Sequence, residues 1–128
     1  MKATVILIDD DTLVNLINRK MIERVLPNVE IRSFLSAYEA LDFFYSLDNL
    51  VHQKLVIFID INMPGMNGWE LLDEIEKELP HEHLEIHLLS SSIDPGDIGK
   101  AENNALVKSY IIKPLNVEKV VRLGLDSK

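Results

Sequence analysis

Two stretches of the chain are apolar without interruption, Val5-Ile6-Leu7-Ile8 and Leu55-Val56-Ile57-Phe58-Ile59. Runs this short and this rich in β-branched residues predict strands covered on both faces, the pattern of central strands in a parallel sheet. With the shorter runs at 29–33, 85–89 and 109–112 they make five predicted strands, the first and third being residues 4–8 and 55–59. Between the strands the apolar period lengthens to three or four. Val14, Ile17, Met21 and Val25 predict a first helix that stops before Pro27, which lacks a donor and restricts Leu26. Ser36-Ala37-Tyr38-Glu39 reads as a capping box opening a second helix, with Ala37, Ala40, Leu41 and Phe44 on its inner face. Leu71, Leu72, Ile75 and Leu79 predict a third helix ending at Pro80. Asp94-Pro95 pairs an N-cap with a proline at the first helical position, so a fourth helix starts there, weakened by Gly96 and Gly99. Asn116 caps a short fifth helix, with Val117, Val120 and Val121 facing inward and Gly124 ending it. Strand and helix alternate throughout, which predicts an α/β fold of five βα units wound on both faces of a parallel sheet. The span 46–54 is the one long connection, and no repeat or linker breaks the chain into parts.

A length of 128 residues suits one core, and 47% apolar against 27% charged residues excludes a disordered or fibrous class. Thirteen basic against 21 acidic residues leave a formal charge of −8, which repels a phosphate backbone and argues against direct nucleic-acid binding. The absence of cysteine excludes a disulfide framework and agrees with a reducing compartment. The first apolar run is too short for a signal peptide, and no segment approaches the ~20 apolar residues of a spanning helix, so the expectation is a cytoplasmic protein that does not engage a membrane.

Position carries the functional signal. Asp9, Asp10, Asp60, Ser90 and Lys113 each fall at the C-terminal end of a predicted strand, the edge at which open parallel sheets bind ligands. An aspartate there is ordinarily a helix cap, and Asp11 is read as one. Three acids gathered at one edge repel one another unless a cation or protons offset their charge. Hard oxygen ligands with one ammonium nearby favour Mg²⁺ over Ca²⁺. Lys113 precedes Pro114, where the chain turns sharply and a cis peptide is available to it. His81-Glu82-His83 is read as a polar turn before a strand and not as a metal site.

These residues make the chain resemble a bacterial two-component response-regulator receiver domain. The likeness runs through Ile8-Asp9-Asp10-Asp11, the segment from Asp60 through Asn62-Met63-Pro64-Gly65-Met66-Asn67-Gly68, then Leu89-Ser90-Ser91 and Tyr110-Ile111-Ile112-Lys113-Pro114, and covers nearly the whole chain. The resemblance implies a flavodoxin-like strand order 2-1-3-4-5 and a single receiver domain over residues 1–128 without an output domain. It makes Asp60 the phosphoacceptor. Asp10 would be a direct metal ligand, Asp9 a ligand through water, and the main-chain carbonyl of Asn62 another ligand. Ser90 would bond a phosphoryl oxygen, and Lys113 would pair with Asp60 and then with the phosphoryl group. Tyr110 would be the aromatic that changes rotamer between inactive and active states. The chain departs from the family pattern at Ser91, in the stretch 102–106, in a short fifth helix, and in one residue too many between Ser90 and Lys113. Ser91 is thereby a second candidate for the hydroxyl position.

The implied chemistry is in-line attack of an Asp60 oxygen on phosphorus, giving an aspartyl phosphate. The donor would be a phosphohistidine on a sensor histidine kinase or a histidine phosphotransfer protein, which His52, His81, His83 and His87 cannot supply in a recognisable context. The downstream partner is a protein not named by the sequence, reached by contact or by onward phosphotransfer. Apart from catalysing its own phosphorylation and dephosphorylation, the chain is not expected to be an enzyme. A Mg²⁺-dependent phosphohydrolase of the haloacid dehalogenase type would need a second aspartate two residues after the nucleophile, where Asn62 stands. A flavin or nucleotide module would need a phosphate loop where Asp9-Asp10-Asp11 places negative charge.

Overall fold

A computed structural model describes residues 3–47 and 54–125. It contains β1 (Ala3–Ile8), α1 (Thr12–Val25), β2 (Glu30–Phe34), α2 (Ala37–Ser46), β3 (Lys54–Asp60), α3 (Gly68–Glu78), β4 (Leu84–Ser90), α4 (Pro95–Glu102), β5 (Val107–Ile112) and α5 (Val117–Arg122). The five strands form one parallel sheet in the order β2-β1-β3-β4-β5. The two uninterrupted apolar runs are β1 and β3 and sit inside the sheet, where helices cover both faces. Most of the connection expected at 46–54, and His52 with it, lies outside the described residues.

Strand alternation divides the core in two. Ile6, Ile57, Ile86 and Leu88 face α2 and α3, while Val5, Leu7, Val56, Phe58 and Leu89 face α1 and α5. The expected inner face of α2 is buried as read, with Ala37, Ala40 and Phe44 at 1% exposure or less. So is that of α3, through Leu71, Leu72 and Ile75.

Three local readings need correction. In α1 the buried positions are Asn15, Asn18 and Ile22, and Ile17 is 40% exposed. The inner face is turned by one residue from the apolar stripe: Asn15 can lie inward because its amide donates to main-chain carbonyls, and Asn18 is buried on the same face. At α2, Ser36 accepts the Glu39 N–H, but the Glu39 carboxylate takes the N–H of Leu35 and not that of Ser36. The complete capping box stands instead at α3, between Asn67 and Glu70. In α5, Val120 is buried but Val121 is 53% exposed, since an α-helix of this length turns adjacent positions ~100° apart and Val120 already faces the core. Gly124 follows at φ +68°, the left-handed conformation that glycine adopts freely.

Candidate functional site

The strand order reverses beside β1 and β3, so the C-terminal ends of those strands border the crevice where doubly wound sheets bind ligands. Asp9 and Asp10 follow β1, and Asp60 is the last residue of β3. Carboxylate oxygens of all three lie within 4.8 Å of one another. Asp9 and Asp60 are buried at 2% and 4% exposure, while Asp10 opens to solvent. Asp11 is the cap it was read to be, accepting from the N–H groups of Leu13 and Val14.

Several devices fix this geometry. The Asp11 N–H donates to Asp9 Oδ1 at 2.9 Å. The Asn62 N–H donates to Asp60 Oδ1 at 3.1 Å, which orients the Asp60 carboxylate. Gly68 packs so closely under the strand end that a Cβ there would stand 2.6 Å from the Asp60 carbonyl oxygen and from Ile61 Cα. Its N–H donates to the Ile61 carbonyl at 3.1 Å, tying the start of α3 to the end of β3. Gly65, at φ +74°, turns the loop between them against Tyr38.

Lys113 reaches the acids from the end of β5, and the peptide joining it to Pro114 is cis. Its Nζ donates to Asp9 Oδ2 at 2.8 Å and lies 3.5 Å from Asp60 Oδ1. The nearer partner in this state is therefore Asp9 and not Asp60. Burial pushes the Asp60 carboxyl up to about 6, with the charge of Asp9 adding to the rise and the Asn62 N–H and Lys113 opposing it. Burial alone would depress Lys113, but its bond to Asp9 and the charges of Asp60 and Asp9 outweigh this and hold it above the ordinary lysine value.

Ser90 ends β4 and is fully buried, whereas Ser91 is exposed. Ser90 Oγ accepts the Ser92 N–H at 2.9 Å, and the Ser92 carbonyl accepts the Tyr110 hydroxyl at 2.9 Å. Tyr110 is partly buried against the α2–α3 side of the core. Ser92 Oγ also donates to Asp97 in α4 at 2.9 Å, so the loop joins Ser90, Tyr110 and the fourth helix.

The buried asparagine at position 15 escaped hydrophobic periodicity. Its Nδ2 donates to the carbonyls of Asp9 at 3.0 Å and Phe34 at 3.3 Å, across the ends of β1 and β2. A cluster at the opposite end of the sheet, Glu85 and His87 on β4 with Ser109 on β5, was also not legible, since polar residues inside a strand run give no periodic signal. His81-Glu82-His83 forms the turn before β4, as read. Among the described residues no helix is long and apolar enough to cross a membrane.

A family model for the response regulator receiver domain matches residues 5–123. The two-component response regulator ORR12 of Oryza sativa subsp. japonica is 33% identical over 125 residues, spanning 96% of this chain and 97% of the rice protein. A crystal structure of a two-component response regulator from Cytophaga hutchinsonii superimposes with a TM-score of 0.83 at 38% identity, covering 98% of this chain and 97% of that one. A response regulator receiver protein from Dyadobacter fermentans superimposes with a TM-score of 0.83 at 26% identity, with 94% of each chain covered.

Proposed function

The chain belongs to the response regulator receiver domain family, whose members serve two-component systems as phosphoacceptors, and on that footing we propose that Asp60 takes the phosphoryl group. One observation carries the assignment. Asp60 is the buried carboxylate of the acid cluster that has both a main-chain N–H and the Lys113 ammonium directed at a single oxygen. With Oδ1 so held, Oδ2 is the oxygen left to attack phosphorus in line with the departing group. One P–O bond forms as the bond to the donor breaks. Lys113 then shifts from the carboxylates to the new phosphoryl oxygens, and the Ser90 hydroxyl donates to another.

Three carboxylates within one small volume fit a hard divalent cation, and the oxygen-only donor set fits Mg²⁺. Asp10 and Asp60 would hold it directly with the Asn62 main-chain carbonyl, and Asp9 through water. When bound, the cation supplies the positive charge that lets an anionic donor approach the acids.

The reading takes as donor a histidine kinase or a histidine phosphotransfer protein, which membership of the receiver family supports, and as output contact with a further protein or onward transfer. Ser90 and Tyr110 are the proposed switch. Movement of Ser90 toward a phosphoryl oxygen breaks its bond with the Ser92 N–H, and the Ser92 carbonyl that anchors Tyr110 moves with it. Gly96 and Gly99 make α4, which is tied to that loop, the compliant element.

Incubation with Mg²⁺ and a small acyl phosphate, followed by intact-mass measurement, tests the acceptor. Wild-type protein gains one phosphoryl group and Asp60→Asn gains none. An equal gain in the variant, or none in the wild type, refutes the assignment.

A further inference from the structure

The β4–β5 ladder pairs Ile86 with Val107 and then His87 with Ser109, so Lys108 is the extra residue of a bulge. The bulge changes which way the rest of β5 faces. Val107 and Tyr110 are three apart and would point to opposite sides of a regular strand, yet both pack on the α2–α3 side. Ile111 takes the other side. Beyond it Ser90 pairs with Ile112, and the Lys113 N–H donates to the Ser90 carbonyl at 2.9 Å. Both the face given to Tyr110 and the reach of Lys113 therefore depend on where pairing resumes after Lys108.

The first rung after the bulge is held by side chains as well as by backbone. His87 Nδ1 lies 2.6 Å from Ser109 Oγ, and His87 Nε2 lies 2.8 Å from Glu85 Oε2. A carboxylate only accepts, so Nε2 carries the imidazole proton and Nδ1 accepts the Ser109 hydroxyl. The other Glu85 oxygen takes Lys54 at 3.0 Å and Lys108 itself at 3.5 Å. His87 is fully buried and stacked on Phe58 with 5.1 Å between ring centres, so it has no freedom to follow a slipped strand. Burial lowers its pKa despite the carboxylate, in keeping with the neutral form that this bonding needs. A slip of one residue would set Lys108 or Tyr110 opposite the ring in place of a small hydroxyl donor.

We propose that His87 and Ser109 are positioning residues for phosphoryl transfer: their hydrogen bond fixes the register of β5 immediately after the bulge and thereby places Lys113 and Tyr110 at the acceptor site. The proposal rests on the acceptor reading of Asp60, but its structural half is read without any donor.

Two measurements test it, the amide chemical shifts of residues 110–113 in unphosphorylated, metal-free protein, and the rate of phosphoryl gain from a small acyl phosphate at saturating Mg²⁺. Ser109→Ala is expected to shift those amides and to slow phosphorylation at least about fivefold, the scale of one ordinary hydrogen bond. Ser109→Thr, which keeps the hydroxyl, restores both. Deletion of Lys108 makes the ladder regular while leaving Ser109 opposite His87, and it is expected to stay within about twofold of wild type. Wild-type behaviour of Ser109→Ala in both measurements overturns the proposal, as does failure of Ser109→Thr to rescue it. Loss of transfer on deleting Lys108 also overturns it, since the inserted residue and not the rung would then be the positioning element. A wild type that takes up no phosphoryl group refutes the Asp60 reading instead, and the amide shifts still decide the register.

Discussion

Lys113 donates to Asp9 at 2.8 Å while standing 3.5 Å from Asp60, so the ammonium is held by the neighbouring acid and only reaches toward the acceptor. Removing the charge of Asp9 acts on Asp60 twice. It deletes a repulsion that raises the Asp60 pKa, and it frees Lys113 to pair fully with Asp60. Both effects have one sign. In metal-free Asp9→Asn the Asp60 carboxyl is expected to titrate below its wild-type position of about 6, as followed by carbon-13 NMR of the side chain. An unchanged or raised value would show that neither the charge of Asp9 nor the release of Lys113 governs the titration of Asp60.

The buried acid also sets a stability trend. Asp60 rises from an ordinary 3.8 to about 6 on folding, so between those values the folded state binds more protons than the unfolded chain. Its contribution is thus fully present below pH 3.8 and lost as pH rises through about 6. At neutral pH without metal, Asp60→Asn is expected to stabilise the protein by about 1–3 kcal/mol, because the amide needs no charged form in a desolvated site. The gain should shrink as pH falls toward 4 and should narrow when Mg²⁺ stabilises the wild type alone. Thermal melts of both proteins at several pH values, with and without Mg²⁺, measure it. A gap that widens on acidification would contradict the assigned shift.

Gly68 offers a purely steric test. A methyl group there meets the Asp60 carbonyl oxygen and Ile61 Cα at 2.6 Å, and both belong to backbone that cannot swing aside. Gly68→Ala is expected to cost about 1–3 kcal/mol by overpacking, although alanine is the better helix former at the first position of α3. The same shift moves the segment carrying Asp60 and Asn62, so phosphorylation should slow as well. A melt at or above the wild-type midpoint would mean that the start of α3 yields without strain.

What the sequence made legible follows from what periodicity and motif can register. The apolar runs at 5–8 and 55–59 announced β1 and β3 because central parallel strands are buried on both faces. The positions of Asp9, Asp10, Asp60, Ser90 and Lys113 at strand ends identified the pocket edge, since the topology brings those ends together whatever lies between. The face of α1 differs from the apolar stripe because Asn15 and Asn18 are buried, Asn15 with its amide hydrogen-bonded to main-chain carbonyls, a reason for burial that a hydrophobic pattern does not contain. The bulge at Lys108 has no local signature, because it is defined by the partner strand, on which Ile86 pairs with Val107 and His87 with Ser109. Pairing between strands is long-range information, and a local reading has no access to it.

Asn15 tests that point about buried polar residues. Its Nδ2 donates to the Asp9 and Phe34 carbonyls, while its Oδ1 meets no donor among the described residues, so the side chain works here as a donor. Asn15→Ala leaves two strand-end carbonyls without that partner and is expected to cost about 1–3 kcal/mol. Asn15→Asp has nearly the same shape but only accepts at neutral pH, and it sets a third electronegative group against both carbonyls beside an already acidic cluster. It should therefore be the worse of the two, with a lower melting midpoint than the alanine variant at pH 7 that recovers as acidification protonates the new carboxyl. If the aspartate variant melted higher than the alanine variant at neutral pH, volume and not hydrogen-bond donation would be what position 15 contributes.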